Sequence, residues 1–227
     1  TLWGTVATTD SDVDNGAVLS YALVGAARAG LTFNPNGSWT FDASSYDSLA
    51  QGEQLVLTLA YTVTDQHLAS DTGELKITIT GTNDAPVAVD DSASLAEDAS
   101  LSGSVATNDS DVDDGASLSY SLNGTAPAGF TLNPNGSWTL DASDPAYQHL
   151  AQGGTPATVT VGYTVSDGLG GTDVGELVIT VNGTNDDPVA LDDTGSGAED
   201  STITGRVATN DSDLDGGASL SYSLNGY

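Results

Sequence analysis

The acidic residues of this chain recur in short runs with alternate-residue spacing. The first run reads DSDVDNG and places carboxylates at Asp10, Asp12 and Asp14. In an extended segment alternate side chains point to the same side, so these carboxylates should converge on one point. Their mutual repulsion is costly unless a cation lies between them. A run of this kind followed by glycine resembles the start of a Ca²⁺ loop, so we interpret it as a candidate cation site.

The same run occurs twice more, inside longer repeated segments. The segments GTVATTDSDVD, GSVATNDSDVD and GRVATNDSDLD begin at residues 4, 103 and 205. Two further markers recur with matching spacing, NPNGSWT at 34 and 133 and GTND at 81 and 183. A period of about 100 residues indicates tandem domains of ordinary size. We predict repeat one over 1–85 with its first strand missing, a complete repeat two over 86–187, and the first third of repeat three over 188–227.

Three other acidic positions recur between the repeats. An Asn-Asp pair forms the linker before a proline, a Glu-Asp pair precedes the second strand, and a single Asp ends a strand rich in Thr and Val. With the three runs, the candidate metal ligands are Asp10, Asp12, Asp14, Asp65, Asn83, Asp84, Glu97, Asp98, Asp109, Asp111, Asp113, Asp167, Asn185, Asp186, Glu199, Asp211, Asp213 and Asp215. The alternative for each residue taken singly is that it caps a turn through its own backbone.

The charge balance excludes several kinds of partner. The chain has 32 acidic and only 3 basic residues, a formal net charge of −29. No basic patch can be assembled from Arg28, Lys76 and Arg206, so we predict no binding to nucleic acid. No apolar run has the length of a membrane span, so we predict no direct membrane insertion. His67 and His149 occupy non-equivalent places in their repeats and no catalytic triad is recognisable, so we predict that the protein is not an enzyme.

The hydrophobic pattern has the period of β-strands. Large apolar residues alternate with Thr and Ala over 55–63 and over 159–165. Such alternation is typical of strands with one buried face, and Asn-Gly and Asp-Gly pairs mark the turns. We predict an all-β fold of tandem immunoglobulin-like antiparallel sandwiches joined end to end. Trp39 and Trp138 recur at one position, where they either fill the core or stack on carbohydrate.

The order of these elements resembles a cadherin repeat, and more closely the cadherin-like or VCBS repeats of giant bacterial RTX adhesins. The segment from Ala106 to Asp111 followed by the strand at 118–122 is similar to the second strand, ligand loop and third strand of that family. In cadherins, such motifs gather Ca²⁺ ions between successive domains. The resemblance covers essentially the whole chain. One departure is the family's mid-domain Asp-x-Glu motif, for which Asp42 and Asp141 are the nearest candidates.

The resemblance implies which residues meet at each joint. At the first joint it implies Asn83, Asp84, Asp109, Asp111 and Asp167; at the second it implies Glu97, Asn185, Asp186, Asp211 and Asp213. Asp113 and the pair Asp90-Asp91 are either ligands or solvated charges.

The resemblance also implies a function. It implies Ca²⁺-rigidified extender repeats of a secreted adhesin at the bacterial cell surface, involved in cell adhesion and biofilm formation. The partners would be neighbouring repeats of the same chain. The alternatives are an extracellular filament assembled by strand exchange between copies and a sandwich module that binds carbohydrate or another partner.

Overall fold

The structure is a computed structural model that describes residues 1–224 of the 227-residue chain. The described residues divide into two compact units. Unit one comprises Thr1–Pro86 with the loops Asp111–Ser117 and Asp167–Gly171. Unit two comprises Val87–Ser110, Leu118–Ser166 and Thr172–Tyr227, of which the last three residues lie outside the described part. Two loops of the predicted repeat two therefore belong to the same compact unit as the Asn83-Asp84 linker.

Unit one contains two three-stranded antiparallel sheets. Its strands are β1 (Leu2–Thr5), β2 (Ser20–Leu23), β3 (Leu31–Phe33), β4 (Ser38–Phe41), β5 (Gln54–Thr64) and β6 (Ser70–Thr80). One sheet has the order β1-β4-β3 and the other β2-β5-β6. The predicted alternation is confirmed on β5, where Leu59 and Tyr61 are buried while Thr58 and Ala60 are exposed.

Unit two repeats this plan with one additional strand. Its strands are β7 (Asp91–Ala96), β8 (Ser100–Ser104), β9 (Ser119–Leu122), β10 (Phe130–Leu132), β11 (Ser137–Asp141), β12 (Ala157–Ser166) and β13 (Thr172–Asn182). The sheets have the orders β7-β13-β12-β9 and β10-β11-β8. β7 pairs with β13 in parallel, which departs from the wholly antiparallel arrangement that we predicted. The chain passes from β7 directly into β8 of the other sheet, so β7 covers the edge of β13 without forming a hairpin with it.

The core of each unit combines aliphatic side chains with several aromatic rings. The core of unit two contains Tyr163, Val165 and Leu140, each with no exposed surface, and the core of unit one contains Phe41 in the same state. Trp138 is 4 % exposed and lies over Gly103, where an added Cβ would approach the indole to 2.5 Å. Trp138 therefore fills the core and is not available to stack on carbohydrate.

Residues 188–224 contain no strand beyond the bridge Val189↔Ser212. Helical structure among the described residues is limited to the 3₁₀ turns Ser44–Tyr46 and Val105–Thr107. None of the described residues forms a helix of the length and apolarity that crossing a membrane requires.

Candidate metal centre

The loop that contains Asp111 and Asp113 contacts the first linker through the carboxylate of Asp113. Asp111 Oδ1 accepts the N–H of Asp113 at 2.9 Å, which bends the run into a turn. Asp113 Oδ2 in turn accepts the N–H of Asp84 at 3.0 Å. Asp113 is 7 % exposed, so this contact is shielded from water. The acidic run therefore departs from the extended geometry that we predicted, and its third member binds the linker backbone.

Asp167 lies in the same unit and is held by a ring of donors. Its Oδ1 accepts the N–H groups of Leu169, Gly170 and Gly171 at 2.7, 3.0 and 3.1 Å. Its Oδ2 accepts from Asn83 Nδ2 at 2.7 Å. The hydrogen bond from Asn83, followed by those from the backbone, lowers the pKa of Asp167 below its ordinary value. Burial opposes this effect. Asp167 is therefore a preformed carboxylate that fixes the side chain of the linker Asn83.

Three oxygens of unit one are buried and have no hydrogen-bond partner. They are Asn83 Oδ1, Asp111 Oδ2 and Asp113 Oδ1. Buried carboxylate and amide oxygens are normally satisfied, because an unpaired one costs the whole desolvation penalty. Within residues 1–224 one ion pair is formed, between the largely exposed Lys76 and Glu74. No basic side chain in this range therefore neutralises these oxygens. An oxygen-only set with spare lone pairs fits a hard cation such as Ca²⁺.

Unit two builds a matching arrangement at the second linker. Asp213 Oδ1 accepts the N–H of Asp215 at 2.9 Å, and Asp215 Oδ2 accepts the N–H of Asp186 at 3.2 Å. Asn185 Nδ2 donates to the carbonyl of Asp186 at 2.9 Å, as Asn83 does to Asp84. The same local sequence thus forms the same turn and the same linker contact in both units.

Glu97 completes the cluster in unit two. One oxygen from each of Glu97, Asp186 and Asp215 lies within 4.8 Å of the others. Glu97 is 2 % exposed; its Oε1 accepts the N–H of Thr184, and its Oε2 has no partner. Asp186 Oδ2 and Asp215 Oδ1 are also buried without partners. Burial, followed by the charges of Asp98, Asp215 and Glu97, raises the pKa of Asp186. Three carboxylates that repel each other in a shielded place form a strong candidate site for a divalent cation.

The first Asp of each run has a different environment from the other two. Asp109 Oδ1 accepts the N–H of Val89 at 2.7 Å and the hydroxyl of Tyr163 at 3.3 Å, all within unit two. Asp10 likewise accepts the hydroxyl of Tyr61 at 3.0 Å, and Asp211 accepts the N–H of Leu191 at 2.8 Å. These residues tie a neighbouring segment or a core tyrosine to the loop.

Asp91 lies next to Asp109, and neither carboxylate is fully satisfied. The Oδ2 atoms of both are buried without a hydrogen-bond partner. Burial, and next the charge of Asp109, raises the pKa of Asp91. Its neighbour Asp90 instead accepts the N–H of Glu176 at 2.9 Å. The sequence left this pair open between ligands and solvated charges, and the structure gives its two members different environments.

Several other candidates lie in turns. Asp65 Oδ1 accepts the N–H groups of His67 and Ala69, both at 2.8 Å, and Asp12 Oδ1 accepts that of Asp14 at 2.8 Å. Asp12 and Asp65 line one shallow hollow together with Asp71. Asp71 is not among the predicted ligands, although its counterpart Asp173 accepts the N–H of Ala88 at 2.9 Å. The recurrence of Asp at the two equivalent positions could have identified both residues.

The remaining candidates are exposed or lie outside the clusters. Asp14, Asp98 and Glu199 are exposed at the surface. Asp98, which directly follows the buried Glu97, has a left-handed backbone with φ 63°, and Asp200 has the same φ. Asp42 and Asp141 cap turns by accepting the N–H of Ser44 and Ser143, both at 3.1 Å.

Two domain families match this chain. The family described as "Bacterial cadherin-like domain" matches residues 83–183, and the family described as "Bacterial Ig domain" matches residues 1–78. The boundary between the matches falls at the Asn83-Asp84 linker. Each family match therefore corresponds to one β-sandwich.

A curated relative is the "Calcium-binding lectin RapA2" of Rhizobium johnstonii. It is 36 % identical over 170 residues, which cover 66 % of this chain and 70 % of that protein.

Cadherin ectodomains are among the similar solved structures. A mouse cadherin-23 fragment, EC22-24, matches with 18 % identity and a TM-score of 0.44, covering 73 % of this chain and 53 % of that one. The human desmocollin-1 ectodomain matches with 17 % identity and a TM-score of 0.44, covering 79 % and 36 %. The chain therefore spans about half of the first of these structures and about a third of the second.

Proposed function

The chain belongs to the bacterial cadherin-like family, and from this premise we propose that its repeats bind Ca²⁺ at their linkers and form a calcium-stiffened stalk of a bacterial surface adhesin. Cadherin-like and Ig-like sandwiches of this kind are adhesion-related extracellular domains. The proposal comprises Ca²⁺ as the bound cation, stiffening of the linkers, secretion as an RTX adhesin and a part in biofilm formation.

The observation that carries the proposal is the buried Glu97 carboxylate. Its Oε2 is shielded, has no partner, and lies in a cluster with Asp186 and Asp215. Ca²⁺ takes six to eight oxygen ligands, so three carboxylates would supply part of its shell and carbonyl groups and water the rest. The relative named as a calcium-binding lectin supports this choice of ion.

The linker contacts indicate how a cation would stiffen the chain. Asp84 and Asp186 are each held by one backbone hydrogen bond to the third Asp of a run. Without a cation the carboxylates around that bond repel each other, and the linker is held weakly. With a cation the same carboxylates are drawn together, and binding energy adds to the free energy of folding. Extracellular Ca²⁺ modules bind at about 10⁻⁴–10⁻³ M, so such repeats would become rigid only outside the cell.

Thermal unfolding of the chain with calcium and with chelator tests the proposal. Saturating Ca²⁺ should raise the Tm by about 10 °C or more, since a ligand at 100 times its Kd contributes about 2.7 kcal/mol. Glu97→Gln keeps the shape of the side chain and should remove most of this gain for unit two. The matched control is Glu176→Gln, an exposed position on β13 that makes the same change of charge. Equal calcium responses in the two variants would contradict the assignment.

A second candidate function is carbohydrate binding, and two observations favour it. The relative is named a lectin, and Trp3 is 83 % exposed on β1 opposite Thr40 of β4. An exposed indole beside a hydroxyl-bearing side chain suits stacking on a sugar ring. Binding to a glycan array that disappears in Trp3→Ala would support this function. Binding that is unchanged in that variant would assign any lectin activity to another surface.

A further inference from the structure

The chain contains six Asn-Gly pairs, five of which lie in the described residues. These five differ in how strongly hydrogen bonds restrain them. They begin at Asn15, Asn36, Asn123, Asn135 and Asn182, and the sixth, Asn225-Gly226, lies outside the described residues. Asn-Gly is the dipeptide most prone to spontaneous deamidation, because glycine leaves its own backbone nitrogen unhindered and free to rotate. The reaction requires that nitrogen to reach the Asn side chain. Hydrogen bonds that fix either group therefore oppose it.

Two of the pairs are held at both reacting groups. The N–H of Gly37 donates to Asn34 O at 2.9 Å, and Asn36 Oδ1 accepts from the N–H and the hydroxyl of Ser38 at 3.0 and 2.7 Å. The equivalent contacts in unit two fix Asn135, whose Oδ1 accepts from Ser137 at 3.1 and 2.7 Å.

A third pair is fixed by the sheet. Asn182 is the last residue of β13, and its Nδ2 donates to Leu95 O at 3.2 Å. The backbone of the following Gly183 is packed against the carbonyls of Leu150 and Ala151. All three pairs must break native contacts before they can react.

The pairs at Asn15 and Asn123 are free of these restraints. Both Asn side chains are exposed, and within residues 1–224 no hydrogen bond holds either side-chain amide or the N–H of Gly16 or Gly124. Space around both glycines is open. We propose that Asn15 and Asn123 deamidate spontaneously in the folded protein, while Asn36, Asn135 and Asn182 are protected by the fold.

The reaction needs only water. The Gly16 nitrogen forms a bond to Cγ of Asn15, the bond from Cγ to Nδ2 breaks, and ammonia leaves with the proton from Gly16. Water then opens the succinimide at either carbonyl and yields aspartate or isoaspartate. Each event adds one negative charge to the chain. At Asn15 the charge extends the acidic run Asp10, Asp12 and Asp14, so the modification would alter any cation binding there.

Repeat two shows that the aspartate product fits this turn. Its equivalent of Asn15 is Asp114, followed by Gly115 with φ 78°, close to the φ 82° of Gly16. The turn hydrogen bond is also retained, from Ala17 to Asp14 O at 3.3 Å and from Ala116 to Asp113 O at 3.2 Å. Conversion of Asn15 to aspartate therefore reproduces a residue pair that the same fold already accommodates.

Peptide mapping by mass spectrometry tests the proposal. The whole chain is incubated in mildly alkaline buffer, folded and in urea, and the acid form of each Asn-Gly peptide is measured over time. In the folded chain Asn15 and Asn123 should react nearly as fast as in urea, whereas Asn36 and Asn135 should react at least about tenfold more slowly, since their hydrogen bonds must break. In urea all five should react at similar rates.

Variants and a second readout make the test specific. Asn15→Gln should remove the signal at the first site, and isoaspartate-specific methyl labelling should appear at Asn15 and Asn123 in the wild-type chain. Ser38→Ala should accelerate the reaction at Asn36 and leave Asn15 unchanged. The proposal is overturned if Asn15 reacts no faster than Asn36 in the folded chain. It is also overturned if Asn15 deamidates in urea but remains an amide in the folded chain. This outcome does not depend on whether the chain binds calcium.

Discussion

Asp113 and Asp215 have two tasks, and each oxygen serves one of them. Oδ2 accepts a linker N–H at 3.0 Å from Asp84 or at 3.2 Å from Asp186, while Oδ1 is buried without a partner. The hydrogen bond to Oδ2 orders the linker, and Oδ1 is available to a cation. One carboxylate thus both holds the linker backbone and supplies negative charge for a cation.

Substitutions of Asp113 can separate these tasks. Asp113→Asn keeps an acceptor for the N–H of Asp84 and removes the charge, so the Tm in chelator should be nearly unchanged while the gain with calcium falls. Asp113→Ala removes both, so it should also destabilise the calcium-free protein by about 1 kcal/mol, the net value of one hydrogen bond. Calorimetry with calcium and with chelator measures both terms. If the two variants behave alike without calcium, the linker contact contributes no stability.

The raised pKa of Asp186 predicts opposite pH dependences with and without calcium. Its folded pKa lies above the unfolded value of about 3.9 because burial and neighbouring acids disfavour the charged form. In chelator, the folded state therefore binds more protons, and the stability that Asp186 contributes should rise as pH falls from neutral through its folded pKa. With calcium, protons compete with the cation, so the calcium-dependent gain in Tm should shrink over the same range.

Asp186→Asn serves as the reference for this prediction because it cannot titrate. Other carboxylates have lowered pKa values, including Asp173, which accepts N–H groups from Ala88 and Val174. The stability that these carboxylates contribute is lost as pH falls, which is opposite to the effect expected for Asp186. These contributions are common to the wild-type chain and Asp186→Asn. The difference in Tm between the two proteins, measured against pH in chelator, therefore reports on Asp186. A difference that does not change with pH would contradict the raised pKa.

At the scale of elements, glycine in β8 determines how the tryptophan of β11 packs. Gly103 pairs with Trp138 across the sheet, and a Cβ at Gly103 would approach the indole carbons to 2.5 Å. Gly4 and Trp39 repeat this arrangement in unit one, with a closest approach of 2.7 Å. Tryptophan recurs four residues after the proline of Asn-Pro, and at both positions its packing depends on a glycine in a strand that is distant in sequence.

Gly103→Ala should therefore destabilise unit two by about 1–3 kcal/mol, the usual cost of overpacking a core. Chemical denaturation followed by tryptophan fluorescence measures the loss. Gly205→Ala is the matched control, because it is the equivalent glycine of repeat three and has no atom within 4 Å of the added methyl group. Equal effects of the two substitutions would show that the indole moves aside without cost.

At the scale of the whole molecule, the linker contact that recurs in both units supports the proposal that calcium stiffens the linkers. Both linkers place an Asn-Asp pair against the third Asp of a run, while Asp167 contacts the first linker and Glu97 lies in the cluster at the second. A carboxylate cluster without a cation favours separation of its members, and a bound cation favours one arrangement.

A distance measurement between labels in the two sandwiches should show this change. Single-molecule fluorescence transfer between dyes at exposed cysteines, introduced on β5 and on β12, should give a broad distribution in chelator and a narrow one in millimolar calcium, the range typical of extracellular modules. Asp113→Asn should keep the distribution broad in calcium. The same narrow distribution with and without calcium would reject the calcium-stiffened stalk.

The sequence by itself determined the repeats, the all-β class and the oxygen chemistry of the candidate cation sites. Alternation over 55–63 and 159–165 identified strands correctly because one buried face imposes a period of two on any such segment. The acidic runs predicted candidate oxygen ligands because composition and spacing are local properties. The parallel pairing of β7 with β13 was not predictable in this way, since strand direction depends on which edge remains free.

Only the tertiary structure decided which acids meet. Asp109 and Asp111 are two residues apart, yet Asp109 holds Val89 and Tyr163 in unit two, while Asp111 belongs with the linker in unit one. Glu97 reaches Thr184 across 87 residues. Such contacts depend on how strands distant in sequence are paired, and no local pattern contains that information. The burial that leaves Glu97 Oε2 without a partner arises from the same packing, so the fold turns a common Glu-Asp pair into part of a candidate metal centre.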